Sequence, residues 1–133
     1  MITPNPTTHK FVVLLNKKLE SGVALNAASH MAACLVARAT EEHRSAMMFV
    51  DYRDADGNKH PTSALSLIVL QADNSNQIRQ ARTAAVEKGI LFSDFLESMT
   101  KDTYVEQMER TSQLKEVELL NTGDCACLGK RKK

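Results

Sequence analysis

The chain has 133 residues, 43% hydrophobic and 25% charged, with 17 Lys and Arg against 16 Asp and Glu. That length suits one domain able to bury about two-thirds of its unfolded surface, and no apolar run approaches the ~20 residues that span a bilayer. Four basic residues are Lys130, Arg131, Lys132 and Lys133, and the remainder holds 13 basic against 16 acidic side chains; with no Trp and 5% aromatics, this argues against a nucleic-acid surface.

The opening Met1–Lys10, with two Pro and three Thr, lacks the basic start, apolar middle and cleavage site of a secretory signal. Residues 1–9 are expected to be a flexible lead-in, and the location cytoplasmic. Lys10–Asn16, with its unbroken Phe-Val-Val-Leu-Leu, predicts a strand buried on both faces. Lys17–Ser21 is a turn, and Ser21 is placed to cap a helix from Gly22 to about Thr40. Alanines at 24, 27, 28, 32, 33 and 37 let that helix lie close to a sheet. The polar Glu41-Glu42-His43-Arg44 ends it, and Ser45–Tyr52 is a second strand.

Asp54–Asn58 is a turn, its Asp-Gly supplying a positive φ. As a calcium loop it would need Glu at position 65, which is Leu65. Ser66–Gln71 is a third, continuous apolar strand. Asn74 or Ser75 caps a helix through Lys88, and Gly89 suits the left-handed residue after it. Ile90–Phe95 is the fourth strand, and Thr103-Tyr104-Val105-Glu106 matches a capping box for a helix to about Ser112. Val117–Leu120 is a last short strand, and residues 123–133 are expected to be a disordered basic tail. The order β-α-β-β-α-β-α-β predicts a single domain over 10–122. Its fold class is α/β, a three-layer α/β/α sandwich with a mixed four- to five-stranded sheet. The first two strand-to-helix turns are expected on one edge of the sheet, next to each other if their strands are neighbours.

Cys34 reads as a small core residue. Cys125 and Cys127 fall short of the four ligands of a structural zinc site, so no metal is expected. The chain has no Gly-x-Ser-x-Gly elbow, phosphate-binding Gly-rich loop or His-Glu-x-x-His helix, and no cofactor is implied.

Chemistry could gather in two places. On the first helix, Asn26 and His30 are four apart and share a face. Asn26 lies near the unpaired N–H groups of the helix start, and an imidazole transfers protons near neutral pH. Lys18, Ser21 and Gly22 border the same helix start, where Lys17 and Lys18 could attract an anion. After the fourth strand, Asp94 and Glu97 sit among Ser93, Ser98 and Thr100, a pattern that orients a water or caps a turn.

The strand, the Lys17-Lys18-Leu19-Glu20-Ser21-Gly22 turn and the Ala27-Ala28-Ser29-His30-Met31-Ala32 helix resemble the start of peptidyl-tRNA hydrolase type II proteins. Gly22–Ala28 and Ser93-Asp94-Phe95 more closely resemble a bacterial branch of that superfamily known as a domain of unknown function. The likeness runs over roughly residues 10–120. It implies an α/β/α fold with a mixed sheet, and a homodimer. It also implies that His30, preceded by Ser29, matches the helix histidine of the hydrolases, that Glu97 stands where they carry Asp, and that Thr100 lies near their functional threonine. Val23 departs from the pattern, standing where the hydrolases place a lysine, which argues against peptidyl-tRNA as substrate. Two expectations result. One is a hydrolase of a small ester or amide, with Lys18, Ser21, Gly22 and Asn26 holding the ligand, Asp94 or Glu97 orienting water and His30 moving the proton. The other is a non-enzymatic protein that binds a small molecule or serves as a dimeric scaffold.

Overall fold

The computed structural model describes residues 9–118 and 121–129. In chain order the elements are β1 (His9–Asn16), α1 (Ser21–Arg38), α2 (Glu41–Ala46), β2 (Phe49–Arg53), β3 (Lys59–Ser63), β4 (Leu67–Ala72), α3 (Ser75–Glu87), β5 (Leu91–Leu96), α4 (Tyr104–Ser112) and β6 (Asn121–Gly129), with 3₁₀ turns at Glu97–Met99 and Glu116–Glu118. A mixed four-stranded sheet runs β4-β1-β6-β5, and β2 and β3 form a separate hairpin. β4 is parallel to β1, while β6 is antiparallel to both β1 and β5.

Strand alternation divides β1 between two helices. Phe11 and Val13 join Ala27, Met31 and Leu35 of α1 in the main core. Val12 and Leu14 point to the other face, against Ala81, Ala84 and Ala85 of α3. The alanines of α1 bring it close enough for the buried Ser93 hydroxyl to donate to the Met31 carbonyl at 2.7 Å. Gly123 lies where α1 crosses the sheet: a Cβ there would stand 2.7 Å from the Leu14 carbonyl oxygen and 2.9 Å from Met31 Cε.

Several boundaries differ from the sequence expectation. β6 is one of the two interior strands, paired from His9↔Gly129 to Leu15↔Gly123 on one side and from Leu91↔Cys127 to Leu96↔Asn121 on the other. Residues 123–129 are therefore part of the sheet, not a tail; residues 130–133 lie outside the described residues. The expected strand at 117–120 is instead a 3₁₀ turn at Glu116–Glu118, with 119–120 outside the description. The strand-forming tendency of Asn-Thr-Gly-Asp-Cys-Ala-Cys-Leu-Gly is low, and two flanking strands supply what propensity does not. His9 already pairs in β1, so it is not part of a flexible lead-in; residues 1–8 are not described.

Ser21 is the first helical residue, not the cap: Glu20 holds the cap position, without a side-chain cap bond. The first helix stops at Arg38 because Ala39 is extended and the Thr40 hydroxyl caps a new helix by accepting from His43 N–H at 3.2 Å. Ser45 and Ala46 belong to that helix, and the second strand starts at Phe49. β3 has no counterpart in the expectation, because Lys-His-Pro-Thr-Ser carries neither apolar alternation nor a full set of N–H donors. A two-stranded hairpin tolerates Pro61, since each strand has an open edge. Cys34 is exposed on α1, not in the core. Asn74 does cap α3, accepting from Gln77 N–H at 3.0 Å, and Gly89 has φ +65.

The hairpin turn is held by one carboxylate. Asp54 accepts from the N–H groups of Asp56 (3.0 Å) and Asn58 (2.8 Å) and from Asn58 Nδ2 (3.0 Å), and bonds His60 Nε2 at 3.0 Å. The His60 bond, then those from Asn58, hold the Asp54 carboxyl down at about 2. A carboxyl lowered by folding contributes stability above its unfolded value of about 4, lost as pH falls through the folded value. The Asn58 amide resonance is therefore expected to titrate with a midpoint at about 2 and to stop titrating in Asp54→Asn; a midpoint at the ordinary carboxyl value would contradict the arrangement.

Candidate functional site

β1, β4 and β5 point the same way, so their C-terminal ends and the following turns share one edge of the sheet. There the first two strand-to-helix turns are neighbours, because their strands β1 and β4 pair. Lys17 N–H donates to the Ala72 carbonyl at 2.9 Å, and Lys17 Nζ meets Asp73 Oδ1 at 2.8 Å. The Lys17 ammonium holds the Asp73 carboxyl below its ordinary value, helped by Gln77. Half of the lysine pair expected to draw an anion is thus matched by a carboxylate. Lys18 is exposed, its backbone N–H donating to Asn16 Oδ1 at 3.1 Å.

Ser21, Gly22 and Asn26 are all exposed along the first turns of α1, on the same helix as His30. His30 is also exposed, and its ring stacks on Phe95 with centroids 5.4 Å apart and 19° between planes. The aromatic contact fixes the imidazole against the end of β5 on the α1 face of the sheet.

Asp94 is elsewhere. On β5, Ser93 and Phe95 face α1, so Asp94 faces α3, where Arg82 Nε donates to its Oδ2 at 3.1 Å. Arg82 also reaches Glu116 Oε1 at 2.9 Å and lies 5.4 Å from the Phe92 ring centroid. The structure therefore places the sheet between His30 and Asp94, and Asp94 is matched by a cation rather than directed at a water. Arg38, at the end of α1, donates to the Phe92 carbonyl at 2.9 Å, occupying an outward acceptor on edge strand β5.

Glu97 is exposed and opens the 3₁₀ turn that Thr100 closes, with Thr100 Oγ1 donating to the Glu97 carbonyl at 2.6 Å. Beside them, buried Ser98 bonds Thr111 Oγ1 at 2.6 Å, and Arg110 Nε and Nη2 reach the Ser98 carbonyl at 3.3 and 3.2 Å. This segment is tied to α4, and the Thr100 hydroxyl acts on its own turn.

A crevice on the α1 face is absent from the sequence expectations. A half-open cavity of about 450 Å³ lies between α1, the start of β1 and β4, and the hairpin. Phe11, Ala32, Leu35, Val36, Phe49, Pro61 and Leu67 make its lining apolar, with Thr62 and Ser63 at the hairpin. Ser63 is already engaged, its hydroxyl donating to the Met47 carbonyl and accepting from Leu65 N–H. Volume and lining fall within the range of small-molecule sites. Phe49, at the start of β2, lines the crevice from the hairpin side, which the sequence pattern hides because it hides the hairpin. Among the described residues no group of three or more His, Cys, Asp or Glu could hold a metal ion, and no helix is long and apolar enough to cross a membrane.

These features describe a small mixed α/β protein with helices over both faces of its sheet and an apolar crevice beside an edge strand. The model of the family described as "Protein of unknown function (DUF2000)" matches residues 9–133, and the chain belongs to that family. Among solved structures it is similar to Atu0240, a protein of unknown function from Agrobacterium tumefaciens str. C58, at 20% identity and a TM-score of 0.75, covering 92% of this chain and 88% of that one. At that identity the likeness is one of fold. No curated protein matches the sequence.

Proposed function

We propose that this chain is a member of the peptidyl-tRNA hydrolase type II-like superfamily that binds a small apolar molecule instead of hydrolysing an ester or amide. The mixed sheet between helices agrees with that resemblance, and Val23, where the hydrolases have lysine, speaks against their reaction. The observation that carries the binding reading is the apolar crevice under the hairpin, whose lining has two hydroxyls, Thr62 and the already bonded Ser63, and no His, Cys, Asp, Glu, Lys or Arg.

A medium-chain alcohol such as decanol tests it. Displacement of an apolar fluorescent dye by decanol is expected with wild type and weakened at least about tenfold in Ala32→Phe, where the new ring fills the crevice; tenfold corresponds to about 1.4 kcal/mol. Equal binding by both proteins would contradict the assignment.

The hydrolase reading draws on one observation, the exposed imidazole of His30 held against Phe95. It makes the opposite prediction: turnover of peptidyl-tRNA or simple aminoacyl esters, lost in His30→Ala. On the binding reading, wild type shows no turnover above background.

A further inference from the structure

Strand β4 is an edge of the main sheet, and its apolar run is exposed on both faces: Leu67 55%, Ile68 37%, Val69 56% and Leu70 50%. No charged residue occurs from Ala64 to Ala72. Natural edge strands are usually guarded by a Lys, a Pro, a bulge or a covering segment. The opposite edge, β5, has Arg38 on its Phe92 carbonyl. Among the described residues β4 has no equivalent.

The backbone direction of β4 follows from two bonds to the β1 segment. Ser66 and Ala72 give their carbonyls to Phe11 N–H and Lys17 N–H, both at 2.9 Å. Alternation then turns the N–H and C=O groups of Leu67, Val69 and Gln71 outward, away from β1.

We infer that β4 pairs antiparallel with β4 of a second copy of this chain, joining two sheets into one of eight strands. The occupant is argued from self-complementarity. A two-fold axis at Val69 sets Val69 against Val69 of the second copy, Leu67 against Gln71 and Ile68 against Leu70. Every outward N–H from Leu67 to Gln71 then meets an outward carbonyl, and uncharged side chains meet across both faces. Pairing covers the edge-facing part of the roughly 350 Å² that the four apolar side chains expose per copy, which adds to the backbone edge and flanking residues toward the ~800 Å² per partner of a standard interface. A net charge of +1 opposes the approach of a second copy only weakly.

The test is sedimentation velocity on the full chain between about 1 and 100 μM, with Val69→Pro and Val69→Lys beside wild type. Val69 is chosen because its N–H points away from β1, so proline there removes an edge donor without breaking a bond within the sheet. It also stands outside the apolar crevice, so decanol binding is unchanged in a Val69 variant that stays folded. Wild type is expected to dimerise with concentration, and Val69→Lys, which opposes two like charges, to raise the dissociation constant at least about tenfold. Wild type that stays monomeric throughout, or a dimer untouched by both substitutions, overturns the inference. Amide exchange of wild type decides the matter if the variants unfold. Protection of the Leu67 and Val69 N–H groups that rises with protein concentration supports the second copy. Protection independent of concentration means a segment of the same chain covers β4 and overturns it.

Discussion

A chain ending at Thr122 is expected to lose its cooperative thermal transition, although eleven residues at a terminus read like a dispensable tail. The cut removes β6 from Gly123 onward, and with it every pair to β1 and all but the last pair to β5. β5 then has no neighbour, because β6 alone joins it to the rest of the sheet. Domains are stable by only about 5–15 kcal/mol, so losing two ladders and the surface beneath α1 and α3 exceeds the margin. A chain ending at Gly129 keeps every β6 pair and is expected to retain the transition. Circular dichroism melting of both chains checks this, and a native-like melt of the shorter one would show that β6 is not an interior strand of the sheet.

Gly123→Val is the second large effect, an expected destabilisation of about 3 kcal/mol, at the upper end for overpacking a core. The first atom of any side chain at this position meets the Leu14 carbonyl oxygen, which is fixed in β1, and Met31 Cε, which has some freedom. Alanine is expected to cost less than valine, since both carry the Cβ that meets the Leu14 carbonyl but valine adds two methyl groups beside Met31 and Leu15. Urea unfolding of the three proteins gives the ranking. Equal stability would mean that α1 does not press on the sheet at this point. Met31, almost fully buried, bounds this contact from the helix side, and Leu15 Cδ2 lies 3.1 Å from the same point.

Legibility differed by the kind of signal each segment carries. β1, α3 and β5 were readable because their patterns are local: an unbroken apolar run, an Asn cap with Gly89 behind the helix, and a second apolar run. That the turns after β1 and β4 share one edge was foreseeable, but their being neighbours hung on whether the two strands pair; they do, in parallel, and Lys17 meets Asp73 at 2.8 Å. The hairpin strand β3 was hidden by Pro61 and by the lack of alternation. The helix break at Ala39 was hidden because Thr40 reads equally well as the end of one helix or the cap of the next.

The candidate site was less legible than the fold. His30, Asn26, Ser21 and Gly22 do share one exposed helix, as the spacing required. The hydrolase expectation joins Asp94 to His30 in one site, yet alternation along β5 turns Asp94 to the face opposite Ser93 and Phe95. The Arg82 that takes Asp94 lies twelve positions away on another element, which spacing along the chain cannot reveal. The apolar crevice is assembled from β1, α1, the hairpin and β4, so none of its segments announces it alone.

The sequence by itself determined the class of the fold, the two main helices and the strands whose burial is written in continuous apolar residues. It did so because periodicity and capping are local, acting over a few residues of chain. Only the tertiary structure decided that residues 121–129 form an interior strand, that Asp94 faces Arg82 instead of His30, and that an apolar crevice opens beneath the hairpin. Each of these depends on which distant segments lie side by side. A strand of weak propensity held between two strong ones, and a side chain turned by alternation to one face or the other, take their character from neighbours far away in sequence.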